Sequence, residues 1–297
     1  MRVKIKQSRG DLAFDIINTV LLVLIMLVIL YPLYFIVIAS LSDPLEVLAG
    51  KVILYPKNFS VDAYGMVFKD GNIMTGYRNT LFYTVFGTAI NIALSVLAAY
   101  PLSRRDFVGK KFFTMVLTIT MFFSGGMIPL YLTVSSLGLL DTIWAILLPG
   151  AISVWNVVII RTYFQTSIPF ELTEAAMVDG ATNFQLLFRV ILPLSTPVIA
   201  VMVLFYGVAH WNAFFNALIY ISSKQLYPLQ LVLRSILIQN TPSDEMMADL
   251  DNAASRQLLA ETIKYALIVV ATAPIIAVYP FLQKYFVKGI MVGAVKG

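Results

Sequence analysis

The stretch Ile16–Leu41, IINTVLLVLIMLVILYPLYFIVIASL, runs for 26 residues without a charged side chain. A helix needs about 20 apolar residues to cross a hydrocarbon core of about 30 Å, so this segment alone is long enough to span a bilayer. It follows the basic head Arg2, Lys4, Lys6 and Arg9, which resembles the start of a signal peptide. The apolar run is too long for a signal core and no small-residue cleavage site follows it, so it reads as a retained first helix. Five further uncharged stretches follow: Asn79–Ser103, Phe112–Leu140, Thr142–Ile160, Val190–Ser223 and Tyr265–Gln283. Composition agrees. Hydrophobic residues make up 59% of the 297, charged residues 12%, and the mean hydropathy is +0.84, whereas about a quarter of a soluble domain is charged.

The reading is therefore an all-α integral membrane protein with six transmembrane helices. No length remains for a sizeable soluble catalytic domain. Six spans put both termini on one side, and the positive-inside rule selects which. With the N-terminus in the cytoplasm, 13 of the 21 Lys and Arg fall inside, giving the inner side +7 and the outer side −2. The expected topology is N-in/C-in, with residues 1–12 a cytoplasmic lead, 13–283 the transmembrane domain and 284–297 a cytoplasmic tail. Arg104, Arg105, Lys110 and Lys111 form the densest inner cluster and read as a topology anchor. Nucleic acid is not an expected partner, because the basic excess is spread over membrane-flanking loops with no nucleic-acid module.

Other chemistry is sparse. Cysteine is absent and His210 is the only histidine, so a metal site lacks its usual ligand set. His210 reads as a polar residue lining a bundle interior. Gly125-Gly126 lacks the Walker pattern, so the chain carries no ATPase of its own. Two external segments, Ser42–Arg78 and Lys224–Lys264, hold turn formers such as Tyr55-Pro56 and Thr241-Pro242-Ser243-Asp244, and read as partly ordered caps on which something outside docks. Pro32, Pro101, Pro129, Pro149, Pro274 and Pro280 lie in or beside the spans and are candidates for kinks.

One loop is too polar to cross and too patterned to be a passive linker. Residues 164–193, between spans four and five, include Ser167-Ile168-Pro169-Phe170-Glu171-Leu172-Thr173-Glu174-Ala175-Ala176-Met177-Val178-Asp179-Gly180. Ser167 suits an N-cap with Pro169 in the first turn, and Glu171 and Glu174 then sit near the positive end of the helix dipole. Phe170, Thr173, Glu174 and Met177 fall on one face, offering an aromatic, a Met and a carboxylate to a partner. Gly180 suits a left-handed turn, after which Thr182 or Asn183 caps a second helix running to Pro193. Helix, turn and helix make an L-shaped protrusion.

Glu174-Ala175-Ala176, three residues, Gly180, nine residues, then Val190-Ile191-Leu192-Pro193 resembles the EAA loop of ABC importer permeases, with Val190 standing where the family pattern has Ile. Ile168-Pro169, Glu171-Leu172, Tyr227-Pro228-Leu229 and the tail Phe286-Val287-Lys288-Gly289 resemble the carbohydrate-uptake group of that family. The resemblance implies a multi-pass subunit of the bacterial inner (cell) membrane that does no chemistry itself. It implies a second homologous permease, a pair of cytoplasmic ATPases that bind ATP and Mg, an external solute-binding protein and an oligosaccharide substrate. Phe170, Glu174, Ala175, Ala176, Met177, Asp179 and Gly180 would carry the coupling, with Glu174 paired to a basic residue of the ATPase. The tail Lys284–Gly297 either reaches toward the ATPases or is a frayed terminus. Tyr206, Trp211, Asn212 and Asn216 in span five combine aromatic faces with amides, as a sugar path would, or serve helix packing. A self-sufficient secondary transporter, the competing class, would show coupling carboxylates buried in the spans, and no uncharged stretch contains one.

Overall fold

A computed structural model describes residues 8–239, 263–278 and 280. The tail Lys284–Gly297 and the Thr241–Asp244 turn lie outside them. The described residues are helical and connecting, with no strand. The chain divides into two compact units, Met1–Asp70 with Asn240–Val270, and Gly71–Gln239 with Ala271–Gly297.

In the first unit the helix Arg9–Ser40 starts seven residues before the uncharged run. Ser8 and Asp11 close a reciprocal cap: the Asp11 N–H donates to Ser8 Oγ at 3.3 Å and the Ser8 N–H to Asp11 Oδ2 at 3.1 Å, satisfying two amides a helix start leaves open. Pro32 lies inside this helix without ending it, as Pro101 does in the second long helix. Leu12 to Leu33 presents apolar side chains that are almost all exposed.

The second unit is built on the helix Gly71–Ser103, which packs against the helices Val154–Thr166 and Thr196–Trp211. Its buried side chains include Asn79 and Thr80 and, further on, Thr88, Asn91 and Ser95, the last three at steps of three and four and so on one side.

Three of the remaining uncharged stretches are broken. Phe112–Leu140 divides into Lys110–Phe122 and Met127–Ser136, bent by 114°. Gly126 at the joint has φ +87, a left-handed conformation that glycine adopts without a Cβ clash. Thr142–Ile160 breaks after the short helix Trp144–Leu147, where Pro149 is followed by Gly150 at φ +78. Val190–Ser223 bends by 81° at Ser195. Pro197 there cannot donate to the Pro193 carbonyl, and the Thr196 hydroxyl takes that oxygen instead at 2.9 Å. Among the described residues two helices are long and apolar enough to cross a membrane, or four if each bent pair is one span.

Candidate functional site

The polar loop begins with the helix Phe170–Val178. Pro169, not Ser167, is its N-cap; Ser167 instead ends the preceding helix. The reason is that the proline ring favours an extended residue before it, so Ile168 cannot continue a helix. Glu171 is in the first turn as expected. At the far end Gly180 is left-handed at φ +78, its N–H donating to Met177 O and that of Ala181 to Ala176 O, both at 3.0 Å. Thr182 then caps the next helix reciprocally with Gln185.

That next helix contains a π segment, Leu186–Ile191. Such segments are rare and concentrate at functional sites. Here it buries Leu186, Leu187 and Ile191 together with Val96, Val157 and Ile160 of the two neighbouring helices. The loop is therefore fastened to the two neighbouring helices by a buried apolar joint.

The face expected to meet a partner divides in two. Thr173 is buried and Phe170 half-buried, while Glu171, Glu174, Ala175 and Asp179 are exposed. Met177 is 40% exposed but its sulfur accepts from Arg104 Nη2 at 3.3 Å. The Arg105 guanidinium lies 4.3 Å over the Phe170 ring, a cation–π contact. The aromatic and the Met therefore meet the chain's own basic hairpin, while Glu171 and Glu174 stay exposed. Arg104 also grips Asp106 with two bonds, 2.8 and 2.7 Å. Those bonds hold the Asp106 carboxyl below its usual range and raise the guanidinium further. The cluster read as a topology anchor also braces the Phe170–Val178 helix. Arg104 and Met177 are 73 residues apart, and no local pattern signals their contact.

The span-five set is scattered rather than convergent. Tyr206 is buried, its hydroxyl 2.6 Å from Ser95 Oγ and accepting from the Ser153 N–H at 3.3 Å. Trp211 is buried, donating Nε1–H to Ala271 O at 3.2 Å and meeting Tyr77 edge-on. Asn212 is exposed and donates back to Val208 O of its own helix; Asn216 is half-buried. His210 Nε2 lies 2.6 Å from Asn91 Oδ1, and Asn91 Nδ2 donates to Ala151 O at 2.7 Å. Asn91 so joins three elements through one amide, and Tyr206 joins the same three through one phenol.

Nearer the start of the Gly71–Ser103 helix the same device holds the loop that runs to Leu229. Asn79 donates to Gln225 O and Tyr227 O at 2.7 and 3.0 Å, Tyr83 to Leu226 O at 2.9 Å, and Thr80 Oγ1 accepts from the Leu229 N–H at 2.8 Å. None of these was singled out from the sequence, although polar residues at helical steps inside an apolar run were the available signal.

Residues 91–292 match the family described as binding-protein-dependent transport system inner membrane component. The chain is 41% identical over 284 residues to the polygalacturonan/rhamnogalacturonan transport system permease protein YtcP of Bacillus subtilis (strain 168), covering 96% of this chain and 98% of that one. It is 42% identical to Protein LplC of the same organism, over 98% and 97% of the two chains. A solved bacterial ABC transporter involved in the import of the acidic polysaccharide alginate contains a chain that superposes with a TM-score of 0.90 at 36% identity, covering 95% of this chain and 100% of that one. This chain belongs to the binding-protein-dependent transport system inner membrane component family.

Proposed function

We propose that the chain is one of two homologous permease subunits of an ATP-driven importer for oligosaccharides, and that it couples to a cytoplasmic ATPase through Glu174. In this reading six spans leave both termini in the cytoplasm, and the partner ATPase pair binds ATP and Mg. The observation that carries it is the part-held face of the coupling helix. Its Phe170 and Met177 side chains are held by Arg105 and Arg104, while Glu174 between them on the same face stays exposed to a partner. Glu174 meets a basic residue of the ATPase, and Gly180 makes the turn that lets the helix enter its cleft. The apolar joint of the π segment passes the motion to the bent span above it, tilting the spans between inward- and outward-facing arrangements. A sugar substrate is supported by relatives named for polygalacturonan, arabinooligosaccharides and melibiose/raffinose/stachyose.

Mild-detergent purification of the tagged chain from its native membrane tests the assembly. Co-purification of a P-loop ATPase and a second multi-span subunit, with ATP hydrolysis stimulated by an oligosaccharide and its binding protein, is expected. Recovery of the chain alone, where other transporter complexes survive, would overturn it.

A further inference from the structure

Within the first unit, residues 51–57 form a loop whose position is set by the first helix rather than by the loop's own packing. Its neck closes at the C-terminal end of that helix: the Asp43 N–H donates to Lys57 O at 3.0 Å and the Lys57 N–H to Ser42 Oγ at 3.2 Å. Its tip is tied much lower. Tyr31 Oη donates to Ile53 O at 3.2 Å, and Tyr34 Oη donates to Leu54 O. Tyr31 and Tyr34 stand nine and six residues before Ser40, the last helical residue. At about 1.5 Å per residue, the tip is folded back along the helix by roughly 9–14 Å.

The depth matters because of what surrounds the helix there. About 20 residues cross the hydrocarbon core; counted from Ile16, the first residue after Asp15, they end at Phe35. Tyr31 and Tyr34 then lie at the boundary where tyrosine is enriched in membrane proteins. The tip they hold exposes Ile53 by 58%, Leu54 by 64% and Tyr55 by 61%, while Val52 is buried. Cations flank it on both sides. Lys51 pairs with Glu46 at 3.1 Å, and Lys57 Nζ lies 4.3 Å over the Tyr55 ring and donates to its hydroxyl at 3.1 Å.

We propose that the Ile53–Tyr55 tip is a lipid-inserting loop, seated at the acyl–headgroup boundary of the leaflet at the C-terminal end of the first helix, with Lys57 and Tyr55 facing lipid phosphates. Apolar side chains at the boundary with basic ones beside them is the pattern of interfacial anchors, and snorkelling lysines reach headgroups from this depth. A soluble protein docking on the end of the helix would not reach a tip folded back to the level of Tyr31. The loop fixes the vertical position of the first helix and of the segment that follows it. This rests on the spanning reading of Arg9–Ser40, and the experiment separates the two.

The natural chain has no cysteine, so Leu54→Cys gives a single labelling site in the full chain, reconstituted in phosphatidylglycerol–phosphatidylethanolamine vesicles. A nitrobenzoxadiazole label there should be quenched several-fold more by lipids carrying a nitroxide high on the acyl chain than by aqueous iodide. Adding Tyr31→Phe and Tyr34→Phe should free the tip and reverse that ratio. Leu24→Cys in mid-helix should be quenched by lipid nitroxides and not by iodide. Iodide-dominated quenching at Leu54→Cys, with Leu24→Cys behaving as expected, overturns the loop and leaves the span standing. Protection from both quenchers would also overturn it, by placing the tip against protein, as would iodide access that is lost only when the binding protein is added. Iodide quenching at Leu24→Cys would sink the span and the loop together.

Discussion

The two long helices are nearly equal in length, 32 and 33 residues, and live in opposite surroundings. The most apolar window of Arg9–Ser40 is 6% buried, against 33% for Gly71–Ser103. The helix that is more apolar is the exposed one. In water that order would be reversed. In lipid an apolar side chain gains little by leaving the bilayer, so helices associate through small residues and hydrogen-bonding groups. Gly87, Thr88, Asn91 and Ser95 mark the buried side of the second helix, whereas the first carries Leu, Ile and Val all round. The polar minority therefore shows where a membrane helix is in contact with protein.

Substitutions on the two helices would break or sharpen this contrast. The largest effect is expected at Gly87, where an added Cβ would overlap the His210 ring. Gly87→Leu should separate the helices at a cost of at least about 1–3 kcal/mol, seen as a lowered unfolding midpoint in detergent. Asn91→Ala removes the bonds to His210 and Ala151 O together and should cost about 1–2 kcal/mol in the same measurement. If either variant unfolds like the parent, the polar seam is not what holds the second unit.

A smaller effect is expected at Asp141, which pins the turn at Ser222 and Ser223 by accepting from their N–H groups at 2.9 and 2.8 Å and from Ser223 Oγ at 2.6 Å. The Ser223 hydroxyl, followed by the two backbone amides, holds this carboxyl below its ordinary range. A lowered folded pKa means the pinning is complete above the unfolded value, about 3.9, and is lost as pH falls through the folded one. Amide protection of Ser222 and Ser223 should therefore persist from neutral pH down to the ordinary carboxylate range and disappear only below it. Protection lost in mildly acidic buffer would contradict the assignment. Smallest of all, Leu24→Ala on the exposed face of the first helix should change stability by less than about 0.5 kcal/mol.

The same contrast explains what the sequence made legible. The polar loop 164–193 was readable because its signals are local: Glu171 in a first turn, Gly180 at a left-handed position and Thr182 as a cap all act within a few residues. The N-cap was misplaced because Ser167 is an acceptable cap chemically, and only the constraint that Pro169 puts on Ile168 rules it out. The brace of Arg104 and Arg105 was not legible, since a basic cluster next to a membrane is expected for topology alone. Tyr206 and Trp211 were singled out for their chemistry, yet their polar atoms are taken by Ser95, Ser153 and Ala271. Apolar composition marked the long helices Arg9–Ser40 and Gly71–Ser103 but not the breaks in the later stretches. Glycines at positive φ and a proline-orphaned carbonyl made those.

The most direct test of the coupling is oligosaccharide uptake by a strain whose only copy of this permease carries Glu174→Lys, with the amount of chain in the membrane quantified alongside. Reversing the charge at the exposed Glu174 while leaving Arg104, Arg105 and the apolar joint intact should reduce uptake by about 5–150-fold, the range of a coupling energy of about 1–3 kcal/mol, at unchanged membrane abundance. Uptake at the parental rate, from a chain present at the parental level, would contradict the coupling role of Glu174.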